Sequence, residues 1–352
     1  MDAQLFIFAF AFAVSFGSIF VLKPLAAWAN LVDRPGGRKV HQGIIPLVGG
    51  IAIYLSVLIS ALAFVEQAIF IRIFLLAGGL LVFMGSIDDR YDISARVRLL
   101  GQFLICAIFV YGLELRIDNI GNLFGMGDIH LGWLGYPFTI IALMSAINAF
   151  NMMDGIDGLV GGVALVIFLG LAVLFTAGGD MSIALVCWAF VGALTAFLIF
   201  NLVGQPNKTL TKIFMGDAGS MFIGLSIGVL VVYGSQNSIA KFSPTAVMWF
   251  VLFPITDMLT IMYRRIKRGR SPMSADRTHI HHILLRAGFN CKVTLIIMVC
   301  VQACLVLAGA LLITHNLPDA LSFVVIVLLV AAYQLLMKRS WRFIRWSKRR
   351  FA

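Results

Sequence analysis

The sequence predicts an all-α integral membrane protein: a polytopic helical bundle of about 11 transmembrane helices, N-terminus outside and C-terminus inside. Three observations carry that prediction. First, the 352 residues are 61% hydrophobic and only 12% charged, with a mean hydropathy of +0.99, whereas a soluble domain usually carries about 25% charged residues. So much apolar surface cannot be hidden inside one water-soluble globule, and lipid has to be part of the solvent. Second, the apolar residues fall into runs close to the ~20 residues a helix needs to cross a bilayer. Third, the basic residues lie between those runs and on one side of them. The net charge of +11 therefore points to membrane topology and not to nucleic acid.

Eleven runs are assigned in order. The first, 5–22, has Asp2 but no basic residue ahead of it, so a retained span is expected instead of a cleaved signal. The next are 47–65, 69–87, the short 99–113 and 133–150. Then come 159–177, 183–200, 218–233, 244–263, 293–314 and 320–337. Pro254 in the ninth run is expected to break that helix. With the N-terminus outside, the inside segments hold 24 of the 27 Lys and Arg, and only Arg72, Arg116 and Lys241 remain outside, as the positive-inside rule requires. An odd span count returns the C-terminus to the inside, in agreement with the basic tail 338–352. There Trp341, Phe343, Ile344 and Trp346 interleave with arginines as in an interfacial anchor. The outside segment 114–132 is Gly-rich and is expected to form a short hairpin or amphipathic helix. The five cysteines include no CxxC pair and read as small hydrophobes, not as a disulfide framework or zinc site.

The acidic residues mark the chemistry. Inside segments carry Asp88-Asp89-Arg90-Tyr91-Asp92 after the third run, Asn151-Met152-Met153-Asp154-Gly155-Ile156-Asp157-Gly158 after the fifth, and Phe214-Met215-Gly216-Asp217-Ala218-Gly219-Ser220 before the eighth. Asp is a good helix N-cap, so capping competes as the explanation for any one of these strings. Capping needs one acid per helix, however, not adjacent pairs, and Asp88 and Asp89 follow a span, where the helix dipole disfavours negative charge. Carboxylates beside Gly turns suit Mg²⁺, a hard ion that uses one or two carboxylates together with substrate phosphates. The glycines allow a nucleotide or phosphate to approach the backbone closely. No GxxxxGK[ST] phosphate loop is present.

The segment 264–292 is the other unusual piece. Arginines at 264, 265, 268 and 270 precede His279-Ile280-His281-His282, which holds three of the six histidines. A transition-metal site and a surface tract without a role both compete here, but no fourth ligand has matching spacing, and phosphate binding alongside the arginines fits best. Asp257, late in the ninth run, is either functional, as intramembrane acids tend to be, or paired with an arginine such as Arg264.

In this order, Asp88–Asp89, NxxDGxDGL from Asn151, FMGDxGS from Phe214 and HxHH from His279 resemble the polyprenyl-phosphate N-acetylhexosamine-1-phosphate transferase family, glycosyltransferase family 4. The resemblance extends over about residues 32–282. Within the family, Arg38-Lys39-Val40-His41-Gln42-Gly43, Pro46-Leu47-Val48-Gly49-Gly50 and the interrupted histidines look most like the bacterial branch that uses UDP-N-acetylglucosamine. The branch acting on the muramoyl-pentapeptide nucleotide has three contiguous histidines, which Ile280 interrupts here.

The resemblance implies the reaction of UDP-GlcNAc with undecaprenyl phosphate to give undecaprenyl-diphospho-GlcNAc and UMP. It implies Mg²⁺, with Mn²⁺ as a substitute, and a homodimer in the bacterial inner membrane with a periplasmic N-terminus and a cytoplasmic active site. Such a protein starts lipid-linked glycan assembly of the O-antigen or common-antigen type. Residues 1–337 would be one transmembrane transferase domain with active-site loops 23–46, 88–98, 151–158, 201–217 and 264–292, and 338–352 a basic tail. By resemblance, Asp217 and Asp89 are the metal residues, and Asp88 orients or deprotonates the lipid phosphate. Asn151, Asp154 and Asp157 line the nucleotide site, and Phe214 stacks on uracil. Arg265, His279, His281 and His282 hold phosphates or the sugar, with Lys39 and His41 assisting; Asn201 is a further candidate. A sister transferase taking another UDP-N-acetylhexosamine is the nearest alternative. A transporter would place ionisable residues near the bilayer midplane and often repeat its halves, and this sequence shows no repeat.

Overall fold

A computed structural model of the chain describes residues 2–34, 43–66, 68–205, 211–237, 239, 242–273, 278–340 and 344. Thirteen helices follow one another among these: α1 (Asp2–Trp28), α2 (Gly49–Phe64), α3 (Ile69–Tyr91), α4 (Ala95–Gly112), α5 (Gly135–Met153), α6 (Leu159–Ala177), α7 (Met181–Leu202), α8 (Gly216–Gln236), α9 (Pro244–Val247), α10 (Leu252–Lys267), α11 (Ile280–Arg286), α12 (Cys291–Thr314) and α13 (Asp319–Lys338). A two-residue antiparallel pair, β1 (Val32–Asp33) and β2 (Ile45–Pro46), is the only sheet described.

Ten of the eleven predicted runs fall on one helix each, and the ninth, 244–263, is split between α9 and α10. Among the described residues nine helices are long and apolar enough to cross a membrane, and the bent α9–α10 pair would make ten. The second run gives α2, whose 16 residues fall short of the others. α8 is the central helix: 89% of its most apolar window is buried, against 17% in α13 and 22% in α1 and α12. Small residues let it sit there. A Cβ at Gly224 would stand 2.6 Å from the Ala146 carbonyl oxygen of α5, the close backbone approach that small residues allow in membrane bundles.

The ninth run departs from expectation. The chain turns by 76° between Pro244–Phe250 and Leu252–Lys267, ahead of Pro254 and not at it. Pro254 is the third residue of α10, in the first turn, where a missing N–H breaks no helical bond. The turn is a 3-10 segment, Met248–Phe250, and Gln302 Nε2 of α12 donates to the Phe250 carbonyl at 3.0 Å. Segment 114–132 forms one antiparallel bridge, Asn119 with His130, and no helix until the 3-10 turn at Gly132–Leu134.

Candidate active site

The site is built where α2, α3 and α8 meet end to end. The first amides of α2, at Gly49 and Gly50, donate to the carbonyls of Phe214 and Met215, each at 3.0 Å, and the Phe214 amide donates to Pro46 O at 2.9 Å. The Asp217 and Ala218 amides opening α8 donate to Asp89 Oδ1 at 2.8 Å and Oδ2 at 3.2 Å. A carboxylate from α3 thus caps the N-terminus of α8, where the helix dipole favours negative charge. No side chain would fit between these backbones. A Cβ at Gly50 would lie 2.2 Å from Gly219 N, and one at Gly85 would lie 2.4 Å from Ala218 Cα.

Asp88 and Asp89 sit in the last turn of α3, Asn151 in that of α5 and Asp217 in the first turn of α8, while Asp154 and Asp157 lie between α5 and α6. A helix does not stop where its apolar run does, because its backbone bonds continue into the polar layer. Apart from Asp89, which caps α8 from another helix, capping does not explain these acids. The N-cap of α6 is Gly158, whose amide is taken by Asn201 Oδ1 at 2.6 Å, and neither α6 nor α8 is capped by a side chain at its own N-cap position. Asn201 Nδ2 donates to Ile213 O at 2.8 Å, so this candidate ties α7 to the strings it joins.

Two recesses open here. The larger, about 720 Å³, is lined by Asp88, Asp89, Asn151, Asp154, Asp157, Phe214 and Asp217 among others. Asn151 Nδ2 donates to Asp217 Oδ1 at 2.8 Å and to Ser220 Oγ at 3.0 Å. Arg98 bonds Asp88 Oδ2 at 2.9 Å and stands 3.9 Å from Asp217 Oδ2. The Ile93 amide donates to Asp88 Oδ1 at 3.0 Å. The Asp88 side chain is 2% exposed and that of Asp217 38%, so Asp217 presents its carboxylate to the recess while Asp88 holds Arg98. Lys212 pairs with Asp157 at 2.5 Å and lies 5.5 Å from the Phe214 ring centroid, joining those residues into one wall.

The smaller recess, about 300 Å³, is lined by Arg98, Asn148, Asn151, Asp154, Gly155, Arg265, His279, His281 and His282 among others. It shares Asn151, Asp154 and Gly155 with the first. His281 is buried against Gly155, where a Cβ would lie 2.2 Å from its Nε2. Burial, then the neighbouring His282 and His279, pushes its pKa down to about 3, so this imidazole is neutral. His279 stacks over it at 5.6 Å and donates its Nδ1 proton to Asp257 at 2.7 Å. Asp257 therefore meets a histidine of the HxHH string. Arg265 Nη1 donates to Pro272 O at 2.6 Å.

All predicted site residues that are described line one recess or the other. Lys39 and His41 lie outside the described residues. Sequence reasoning missed Arg98 and Lys212, which it counted only as inside charges. Their partners are 10 and 55 residues away, and no local spacing signals such pairs.

The donor set bears on a cation. Among the described residues no three His, Cys, Asp or Glu side chains close around a point, so nothing resembles a zinc cage or an HxHH metal centre. Asp154, outside the helices, is pushed up to about 7 by desolvation and then by the charges of Asp217 and Asp157. Neighbouring carboxylates repel one another, and a cation in the recess would relieve that repulsion. Open oxygen donors suit a hard ion completed by substrate phosphates and water, and the residues present fit Mg²⁺ in that way.

Comparison with known proteins adds the lineage. The model of glycosyl transferase family 4 matches residues 71–235. An undecaprenyl-phosphate alpha-N-acetylglucosaminyl 1-phosphate transferase from Yersinia pestis is 39% identical over 97% of this chain and 93% of its own. Proteins of the same name from Escherichia coli K12 and Haemophilus influenzae are 36% and 34% identical. They cover 94% and 96% of this chain, and 90% and 95% of their own lengths.

Proposed function

The chain belongs to glycosyl transferase family 4, and from that premise we propose that it moves N-acetylglucosamine 1-phosphate from UDP-GlcNAc to undecaprenyl phosphate, releasing UMP, as the first membrane step of lipid-linked glycan assembly. The observation that carries the reading is the apposition of an acidic recess walled by Phe214 and a recess lined by arginines and histidines, joined through Asn151, Asp154 and Gly155. The names of the full-length relatives supply the donor sugar and the acceptor.

An oxygen of the acceptor phosphate forms a bond to the β-phosphorus of UDP-GlcNAc. The bond from that phosphorus to the oxygen bridging the two phosphates breaks, and UMP leaves with the electron pair. Anion meets anion, so the protein's work is positioning and neutralisation. Phe214 offers an aromatic face to uracil, with Asn151, Asp154 and Asp157 around the nucleotide. Arg98, Arg265 and His282 offer donors to phosphate oxygens, and His279 faces the sugar phosphate with Nε2. Asp217, with Asp89 beside it, would hold Mg²⁺ or Mn²⁺, which supplies charge neutralisation and polarises the diphosphate. Asp88 orients Arg98 at the junction. It need not act as a base, because a phosphate monoester with a second pKa near 6 has lost most of its protons at neutral pH.

The reading also includes an inner-membrane homodimer with its N-terminus periplasmic and both recesses on the cytoplasmic side, the side holding most of the basic residues. The polyprenyl chain lies in the bilayer beside α10, where Leu259, Tyr263 and Ile266 are exposed. Purified protein given undecaprenyl phosphate, Mg²⁺ and a panel of UDP-sugars should release UMP with UDP-GlcNAc preferred, and EDTA should abolish the release. Preference for another UDP-N-acetylhexosamine would replace the donor, and no release from any donor would refute the reading.

A further inference from the structure

The smaller recess rests on a buried carboxylate that the transfer itself does not use. Asp257, in α10, is 2% exposed. It accepts hydrogen bonds from three directions. His279 Nδ1 donates to Oδ2 at 2.7 Å, the Tyr333 hydroxyl of α13 to Oδ1 at 2.5 Å, and the Ile280 amide to Oδ1 at 3.3 Å. Beside this cluster, Gln334 Nε2 of α13 donates to Thr260 Oγ1 of α10 at 2.8 Å. The last helix, α13, thus braces α10, whose Asp257 holds His279.

A carboxylate removed from water is costly unless charge-assisted hydrogen bonds hold it. An apolar pair filling the same volume would serve stability as well or better. The contacts instead select one state of His279. An ionised carboxylate only accepts, so Asp257 takes the proton on Nδ1, and Nε2 is the one nitrogen left for the recess that His279 lines. A carboxylate behind a working imidazole fixes both tautomer and ring direction, as it does behind metal-bound histidines. The Ile280 amide opens α11, so the same carboxylate fixes the start of the helix carrying His281 and His282.

We propose that Asp257 and Tyr333 are positioning residues for His279: together they hold its proton on Nδ1 and direct Nε2, an acceptor in that tautomer, toward a hydroxyl of the sugar phosphate that enters the smaller recess. The inference rests on the phosphosugar-transfer reading, and it adds to that reading a requirement for the last helix.

A double-mutant cycle on the full-length protein tests it, with UMP release followed by a radiolabelled assay that reaches low residual turnover. Asp257→Asn keeps the size and removes the charge, and it is expected to lower kcat/KM by about 10-fold or more; Tyr333→Phe deletes one oxygen and is expected to lower it several-fold. In a His279→Ala background each substitution is expected to change kcat/KM by less than about 2-fold, because the group through which both act is gone. Equal losses in the two backgrounds, or native turnover by Asp257→Asn, would overturn the proposal while leaving the transferase reading intact. If Asp257→Asn does not accumulate in the membrane, the Tyr333→Phe cycle alone decides by the same two readings. A native protein that releases no UMP would overturn the transferase reading and this inference with it.

Discussion

Asp217 stands where three other helices deliver their polar side chains. Asp89 of α3 holds its backbone amide, Asn151 of α5 bonds its carboxylate, and Arg98 of α4 lies 3.9 Å from its other oxygen. Asp217→Asn removes the charge but preserves the shape. Turnover should fall at least about 10²-fold, the usual effect of deleting one well-placed electrostatic group, while insertion and thermal stability stay near native. Activity close to native would remove Asp217 from the cation's ligands. Phe214→Ala should weaken UMP or UDP-GlcNAc binding by roughly 1–3 kcal/mol, the worth of one stacked base, and titration calorimetry in detergent measures it. Unchanged affinity would dismiss the stacking role. At this scale the sequence named residues that the fold brings to the two recesses and was silent about how they pair. Asp89 looked like a metal residue, yet both of its oxygens receive amides 128 and 129 residues away, a contact that exists only once α3 and α8 have packed.

The helices are held in that arrangement by what is missing from their surfaces. Gly50 and Gly219 bring α2 and α8 backbone to backbone, and Gly85 does the same for α3. Gly50→Ala would force a Cβ to 2.2 Å from Gly219 N, a clash that side-chain movement cannot relieve. A loss of roughly 1–3 kcal/mol is expected, the scale of overpacking, seen as a lower thermal midpoint together with lower turnover. Gly17→Ala in α1, which has no atom within 4 Å of its would-be Cβ, should leave both unchanged. Equal effects of the two substitutions would contradict the packing account. The spans were legible because run length and hydropathy are local properties. The 76° bend was misassigned to Pro254 because the real turn at Met248–Phe250 is stabilised by Gln302 from another helix. α3 and α5 outrun their apolar stretches to reach Tyr91 and Met153, which hydropathy alone does not register.

Across the whole molecule, strings as far apart as Asp33, Asp88, Asp154 and Asp217 line a single recess, so the chain gathers one end of nearly every long helix at one place. The one-sided distribution of Lys and Arg supports the proposed cytoplasmic placement of that end. A reporter fused after Ala352 should read cytoplasmic, and a tag within 114–132 should be reached from the periplasm. The reverse pattern would put the recesses on the wrong side for a cytoplasmic nucleotide. The central claim is that the phosphorus attached to the sugar travels with it. UDP-GlcNAc labelled with ³²P in that β-phosphate, incubated with the protein, undecaprenyl phosphate and Mg²⁺, tests this directly. The account predicts that the label moves into the organic phase with the lipid, leaving unlabelled UMP in water. Label retained in water as UDP, with the sugar alone on the lipid, would contradict it.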